Sequence, residues 1–284
     1  MAEPRPVSAE VQTLIRSAVE ADRIDLYLQP IVTLPQRKVR HYEALARLRT
    51  DRGDVLPAAD FIAAAESAGL MPQIDNLMVF RCVQVVRRLL AKNRELGLFC
   101  NVSGATLTDA AVFAQLLEFL DANRAIAPAI VFEFTHGAIR AAGPIENEGL
   151  AALAERGFRF SLDNLADLRI DARALATSGF RFVKVPASLL LDRRGAADIH
   201  PVDFADLLAR YGIELIAEKI ESEGTVVELP DYDVKYGQGY LFSPPRPVRA
   251  EVLQGAAETP ADMLATTDKG TRTSGLAQLV RGRV

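Results

Sequence analysis

Short apolar runs recur along the chain between longer segments with helical periodicity. Spacings of three and four between apolar residues predict amphipathic helices over 9–21, 61–68, 77–90, 108–123, 146–156 and 201–211. Eight runs have the length and the Val, Ile and Phe content of buried strands, and they cover 26–29, 40–44, 98–102, 130–134, 158–162, 182–185, 214–217 and 239–242. Alternating strands and helices predict an α/β fold of the (β/α)8 TIM-like type.

The first two strands are too close together for a regular unit of that fold. Only residues 30–39 separate them, which is too short for a helical crossover between parallel strands. They are therefore expected to form a hairpin, in which one strand runs against the rest. The predicted fold class is a modified (β/α)8 TIM-like barrel with one antiparallel strand.

Polar residues stand at or near the ends of the apolar runs. They are Gln29, Glu43, Asn101, Glu133, Asp163, Lys184, Glu218 and Gln238. In a closed barrel, side chains at the C-terminal strand ends converge on one mouth. Four carboxylates, an amide and a lysine meeting there indicate a divalent-metal site that handles a phosphate.

Each of these residues also has a structural interpretation when it is taken alone. A strand-end glutamate is more often solvated or salt-bridged, and a single lysine such as Lys184 is more often an ion-pair partner. Gln238, beside Gly239, could end a turn. Tyr27 and Tyr240 are expected to be packing residues.

Composition bounds the picture without identifying a function. A chain of 284 residues with 49% hydrophobic content can bury a large core, and its length fits one barrel of about 250 residues with extensions. A net charge of -4 gives no general attraction to nucleic acid or to an anionic membrane, so neither is expected as a partner. Cys82 and Cys100 are too few for a disulfide framework and are predicted to be small buried hydrophobes. Because no apolar stretch of about 20 residues occurs, we expect a soluble, cytoplasmic protein.

The ends of the chain differ from its middle. Residues 1–21 contain a predicted amphipathic helix, with Ser8 as its N-cap, that packs on the barrel. Residues 22–255 form the predicted barrel domain, in which Asp75 is the candidate cap of the helix at 77–90. Residues 256–284, which begin with a segment rich in Thr, Ala, Gly and charge, predict a disordered tail.

An ordered series of motifs resembles the EAL domain family, whose members bind and often hydrolyse the bacterial second messenger cyclic di-GMP. The series consists of LYLQPI at 26–31, EALAR at 43–47, AAESAGL at 64–70, NVS at 101–103, FEFT at 132–135, SLD at 161–163, VK at 183–184, AEKIES at 217–222 and QGYLFSPP at 238–245. The triplet Glu-Ala-Leu alone would carry little information. The order and number of the motifs make the resemblance specific over about residues 8–250.

The resemblance implies a role for each strand-end residue. It implies Glu43, Asn101, Glu133 and Asp163 as ligands of Mg²⁺ or Mn²⁺, ions that prefer hard oxygen donors. Glu218 would lie near the metal ions or the attacking water, and Lys184 would position that water or screen the phosphate. The nucleotide pocket would be lined by Gln29, Leu45, Arg47, Glu221 and Gln238.

The chain departs from the family pattern at the loop after Asp163. Hydrolytic members usually have paired aspartates followed by Phe-Gly-Thr-Gly, whereas residues 163–169 here read DNLADLR, with Asn164 at the second position. A neutral amide attracts a second cation less than a carboxylate does, and the missing glycines restrict the loop. Three more departures are His136 for the usual Glu, Pro186 for Asp and Lys219 for Gly.

Three functions are compatible with these residues. We favour a cyclic di-GMP receptor with weak or no hydrolysis, which passes its occupancy to a protein partner; by family analogy that partner belongs to flagellar or pilus machinery. The alternative is an active phosphodiesterase yielding linear pGpG. A scaffold that no longer binds nucleotide is disfavoured, because its converging carboxylates would repel one another without a cation or a proton.

Overall fold

A computed structural model of the chain describes residues 9–91, 96–191 and 200–249. The strands are β1 (Ile24–Thr33), β2 (Val39–Arg49), β3 (Val55–Pro57), β4 (Gly97–Asn101), β5 (Ile130–Thr135), β6 (Arg159–Asp163), β7 (Phe180–Pro186), β8 (Glu214–Glu218), β9 (Tyr236–Gly237) and β10 (Arg246–Pro247). The α-helices are α1 (Ala9–Glu20), α2 (Ala58–Ser67), α3 (Met71–Ala91), α4 (Gly104–Thr108), α5 (Ala110–Asp121), α6 (His136–Ala141), α7 (Pro144–Glu155), α8 (Ala172–Thr177), α9 (Ala187–Leu190), α10 (Pro201–Arg210) and α11 (Glu223–Glu228). Two 3-10 helices cover Arg124–Ala129 and Leu229–Tyr232.

Eight of the strands close into a barrel in the order β1, β9, β8, β7, β6, β5, β4, β2 and back to β1. Within it, β1 runs antiparallel to both β2 and β9, and the other neighbouring pairs are parallel. Strand β3 pairs with the end of β2 at residues 47–49, and β10 pairs with β1 at residues 27–28. The predicted barrel with one antiparallel strand is therefore confirmed, and the hairpin of β1 and β2 is its cause.

The last predicted strand was placed wrongly. The eighth barrel strand is β9, whereas residues 239–242 form turns after it. Gly239 lies so close to the backbone of Ile220 that an added Cβ would be 2.0 Å from the Ile220 carbonyl oxygen. This close approach bends the chain directly after the strand, and apolar content alone does not reveal it.

The proposed cap at Asp75 is also wrong. Helix α3 begins at Met71, so Asp75 lies inside it, and the side chain is buried. Its Oδ2 accepts hydrogen bonds from the Ser103 amide at 2.7 Å, the Ser103 hydroxyl at 2.7 Å and the Thr106 hydroxyl at 2.6 Å. Asp75 thus anchors the start of α4, directly after β4.

An apolar layer fills the lower part of the barrel interior. Its members are Ile31, Phe99, Val131, Phe182 and Ile216, which form a cluster separate from the main core between sheet and helices. The rings of Phe99 and Phe182 pack edge to face with centroids 5.0 Å apart. This layer is the floor on which the polar residues at the mouth rest.

The N-terminal helix lies on the outside of the barrel. Helix α1 packs against α2 and β2. Cys82 and Cys100 are free and buried, as predicted. Ser8 and the proposed tail at 256–284 lie outside the described residues. Within the described ranges, no helix combines the length and apolarity needed to cross a membrane.

His41 packs edge-on against the floor residues Phe99 and Phe182 and against Tyr236. Burial, aided by the charges of Arg40 and Arg159, lowers its pKa from 6.5 to about 4. Between those pH values the unfolded chain takes up a proton that the folded protein refuses, so the free energy of unfolding falls as pH is lowered from 6.5 to 4. We expect this one group to remove about 3 kcal/mol over that window.

The test compares the wild type with His41→Leu by urea denaturation from pH 7 to pH 4. The stability advantage of the wild type over the variant should shrink by about 3 kcal/mol over the window. Parallel stability curves would show that His41 is not held neutral.

Candidate functional site at the barrel mouth

The residues of the site follow from the two-residue period of the strands. Successive side chains of a strand alternate between its faces, so a residue two positions beyond an interior residue also points inward. The floor residues Phe99, Val131, Phe182 and Ile216 are followed two positions later by Asn101, Glu133, Lys184 and Glu218. On antiparallel β1, Gln29 precedes Ile31 by the same interval and pairs with Glu43. One polar layer therefore stands directly above the floor.

Lys184 is at the centre of this layer and is 0% exposed. Its Nζ lies 2.7 Å from Glu133 Oε1 and 2.9 Å from Glu43 Oε2. The Asn101 amide donates to the other oxygen of Glu43 at 3.1 Å. Four of the predicted residues, from four different strands, are therefore in one hydrogen-bonded network.

Two glutamines extend the network toward the turn after β9. Gln238 Nε2 donates to Glu43 Oε2 at 2.5 Å and to Gln29 Oε1 at 3.2 Å. Gln29 Nε2 in turn donates to the Ser243 carbonyl at 3.1 Å. Gln238 is thus part of the site, as well as the start of the turn held against Ile220.

The carboxylates of the site differ in their electrostatic environments. Although burial alone would raise the pKa of Glu43, the charge of Lys184 and the hydrogen bonds from Lys184, Gln238 and Asn101 lower it. Burial and the neighbouring charges of Glu43 and Asp163 raise the pKa of Glu133 despite Lys184. Lys184 stays charged, because three carboxylates outweigh its burial and raise its pKa. The single buried ammonium of Lys184 is therefore shared by three carboxylates and does not balance all of their negative charge.

Asp163 and Glu218 belong to the same electrostatic cluster. Burial is the main cause that raises the pKa of both carboxyl groups, and the charge of Lys184 partly offsets this increase in each. The charge of Asp163 also raises the pKa of Glu218. Asp163, at the end of β6, is thus close enough to Glu218, at the end of β8, to disfavour its charged form.

Several buried oxygens in the site have no hydrogen-bond partner within the described structure. They are Glu133 Oε2, Asp163 Oδ1, Gln238 Oε1 and Ser161 Oγ. Ser161 was not predicted as a site residue, although its position two residues before Asp163 on a strand could have indicated it. Among the described residues, no group of three or more His, Cys, Asp or Glu has the arrangement of a formed metal site.

A cavity of about 320 Å³ opens above the polar layer. It is lined by Gln29, Glu43, Glu218, Lys219, Glu221, Gln238, Gly239 and Tyr240. Tyr240 is 66% exposed, so its prediction as a packing residue was wrong. Lys219 Nζ lies 3.2 Å from Glu218 Oε1 and places a second lysine at this mouth.

Leu45 and Arg47 lie beyond this cavity along β2. They share the face of Glu43 by the two-residue period, but β2 has passed its last pairing with β4 at Ala44. The Arg47 guanidinium stacks 5.4 Å above the Tyr27 ring and donates to the Ala46 carbonyl at 2.9 Å. Neither residue lines the cavity itself.

Comparison with known proteins gives this arrangement a family. The chain is 27% identical over 254 residues to the cyclic di-GMP phosphodiesterase PdeR of Escherichia coli, which covers 84% of this chain and 36% of PdeR. It therefore spans about a third of the length of that relative. Its fold matches the FimX EAL domain of Xanthomonas citri in complex with c-di-GMP, with a TM-score of 0.73 at 18% identity over 84% of this chain and 94% of that one. The FimX EAL domain of Pseudomonas aeruginosa bound to c-di-GMP gives a TM-score of 0.68 at 21% identity over 84% and 96% of the two chains. The EAL domain model matches residues 12–245, and the chain belongs to the EAL domain family.

Proposed function

We propose that this chain binds cyclic di-GMP at the barrel mouth, hydrolyses it weakly or not at all, and passes its occupancy to a protein partner. The nucleotide-binding unit is the predicted domain at 22–255. The observation that carries the proposal is the pairing of an organised polar mouth with a loop after Asp163 that lacks a second carboxylate. The mouth supports binding, and the loop argues against turnover.

The mouth has donors and acceptors suited to a dinucleotide. Gln29, Gln238 and Glu221 line the cavity and offer amide and carboxylate groups to guanine edges. Arg47, beyond the cavity on β2, carries a guanidinium suited to a phosphate or to the face of a base. Leu45 adds an apolar contact beside it. Similar proteins support this assignment, because two FimX EAL domains of the same fold were solved with c-di-GMP.

The loop after Asp163 supports weak hydrolysis. Asn164 has a left-handed backbone with φ of 58° and an exposed side chain. Leu165 and Leu168 are buried in the main core, which ties the loop to the barrel. A loop held this way presents an amide at 164 and has little freedom to rearrange around a cation.

The oxygen donors at the mouth suit one hard divalent cation such as Mg²⁺ or Mn²⁺ by their chemistry, although the described side chains are not arranged as a formed metal site. Glu133 Oε2 and Asp163 Oδ1 are buried oxygens without partners, and Glu43 and Asn101 stand beside them in the network. A bound divalent ion would supply charge neutralisation and a more acidic water. Lys184 would hold Glu43 and Glu133 in place, and Glu218 would offer an acceptor for a proton from that water.

The binding half of the proposal is tested by calorimetric titration with cyclic di-GMP in Mg²⁺ buffer. The wild type should bind, and Glu43→Ala should lose most of the affinity, because Asn101, Lys184 and Gln238 all bond to that carboxylate. Glu148→Ala is the matched control, because Glu148 is exposed on α7 away from the mouth. Equal affinities for wild type and Glu43→Ala would contradict the assignment of the site.

Asn164→Asp separates the missing carboxylate from the loop that carries it. Because the side chain is exposed, we expect a gain of ~1 kcal/mol in Mn²⁺ binding, about fivefold in affinity, without measurable pGpG. Turnover stays absent because positioning errors of about 1 Å can cost roughly a hundredfold in rate.

Mn²⁺ titration and chromatography of the nucleotide measure the effects of Asn164→Asp on metal binding and on turnover. The control is Ala166→Asp, which adds a carboxylate at another exposed position of the same loop. Rapid hydrolysis by Asn164→Asp would make the amide the sole defect.

A further inference from the structure

A second lysine at the mouth has no role in the network around Lys184. Lys219 directly follows Glu218 at the end of β8, and its Nζ lies 3.2 Å from Glu218 Oε1. Its side chain is 63% exposed and lines the cavity, so the ammonium stands at the solvent side of the mouth. Four flexible carbons let this charge move toward a ligand that enters.

The backbone at Lys219 is unusual for its residue type. Its φ is 57°, in the left-handed region that a residue with a Cβ adopts at an energetic cost. The next residue, Ile220, is fixed on both sides, because its amide donates to the Gln238 carbonyl and its carbonyl accepts from the Leu241 amide. Strain held by the surrounding structure beside a binding cavity is a reason to look for function.

Lys219 differs in charge from the other ionisable residues that line the cavity. Among the described residues that line the cavity, Glu43, Glu218 and Glu221 are acidic and Lys219 is the one cation. Lys184 is fully buried beneath them, with its ammonium held by Glu43 and Glu133. A phosphodiester that enters this cavity therefore meets carboxylates first. Lys219 is the cation that lines the cavity itself, whereas Arg47 lies beyond it on β2.

We infer that Lys219 is a phosphate-contacting residue that lets a nucleotide phosphodiester bind at this mouth without a divalent ion. The inference rests on the proposed function, since the ligand is the one proposed there. When the ammonium leaves Glu218 for the phosphate, a charge-assisted hydrogen bond forms. The same lysine opposes a divalent ion near Glu218, because the two cations repel and compete for the same oxygen.

The test is calorimetric titration of cyclic di-GMP in EDTA and in Mn²⁺. The wild type should bind in EDTA, and Lys219→Gln should bind about tenfold more weakly there, with Mn²⁺ recovering the loss. Lys219→Arg should keep binding in EDTA. Lys235→Gln, an exposed lysine just before β9 at the opposite end of the barrel, should match the wild type. Undiminished binding of Lys219→Gln in EDTA would overturn the inference.

A titration with Mn²⁺ alone distinguishes this inference from the function on which it rests. Without the lysine, Lys219→Gln should bind Mn²⁺ about tenfold more tightly than the wild type. Unchanged Mn²⁺ affinity would overturn the role of Lys219 as a competing cation. Absence of cyclic di-GMP binding by the wild type in both buffers would overturn the phosphate contact together with the proposed function, whatever the Mn²⁺ result.

Discussion

Lys184→Met should lower the free energy of unfolding at pH 8 by about 3–5 kcal/mol, because it leaves the buried carboxylates Glu43 and Glu133 without their shared ammonium. Both oxygens that lie within 3 Å of Nζ would then face a poorly solvated space. Glu133 can escape by taking up a proton, which costs less at low pH. The destabilisation should therefore be smaller at pH 5 than at pH 8.

Guanidinium denaturation at the two pH values measures this effect. Lys235→Met removes an exposed lysine at the other end of the barrel and should change stability by no more than about 0.5 kcal/mol. If Lys184→Met were as stable as the wild type at pH 8, the carboxylates would already be protonated, and the description of the ammonium as their counter-charge would be wrong.

Gly239→Ala should damage both the fold and the site. The new Cβ would lie 2.0 Å from the oxygen and 2.4 Å from the nitrogen of Ile220, and these backbone atoms cannot rotate away. The turn must open, which breaks the bond from the Ile220 amide to the Gln238 carbonyl and moves Gln238 away from Glu43. We expect a stability loss of about 1–3 kcal/mol. Losing a hydrogen bond to a charged group should also weaken cyclic di-GMP binding by about tenfold or more.

Thermal denaturation and nucleotide titration measure the two losses. Gly137→Ala is the matched control, because an added Cβ there has no neighbour within 4 Å and the position is helical. A Gly239→Ala protein with wild-type affinity and stability would show that the contact between Gly239 and Ile220 is not required.

Much of the barrel could be predicted because its determinants are local. Strands β4, β5, β6, β7 and β8 are short apolar runs, and the polar residue near the end of each marks the mouth. The short link between β1 and β2 predicted the antiparallel strand, since chain length alone excludes a crossover there.

The errors have causes that are distant in sequence. Asp75 matches a helix cap by residue type, but its partners Ser103 and Thr106 come from the turn after β4. The run at 239–242 has strand-like composition, yet the approach of Gly239 to Ile220 turns it away from the barrel. Tyr240 lies in that turn, where its side chain is exposed.

The sequence pattern identified the residues of the site more readily than it identified the contacts between their side chains. Position near the end of a predicted apolar run singled out Glu43, Glu133 and Lys184, although β2 in fact continues six residues beyond Glu43 to Arg49. The sharing of one ammonium by two carboxylates depends on side-chain geometry that the run does not reveal. The contact of Lys219 with Glu218 likewise depends on side-chain geometry, and the left-handed backbone of Lys219 is one that a residue with a Cβ rarely adopts.

The proposed receptor function requires that the mouth retains the nucleotide without cleaving it. Its most direct test is a single-turnover incubation of cyclic di-GMP with excess protein and Mn²⁺, under conditions where titration shows saturated binding, followed by chromatography of the nucleotide. We expect cyclic di-GMP to be recovered intact. Stoichiometric conversion to linear pGpG within the first turnover would contradict it and make the chain a phosphodiesterase.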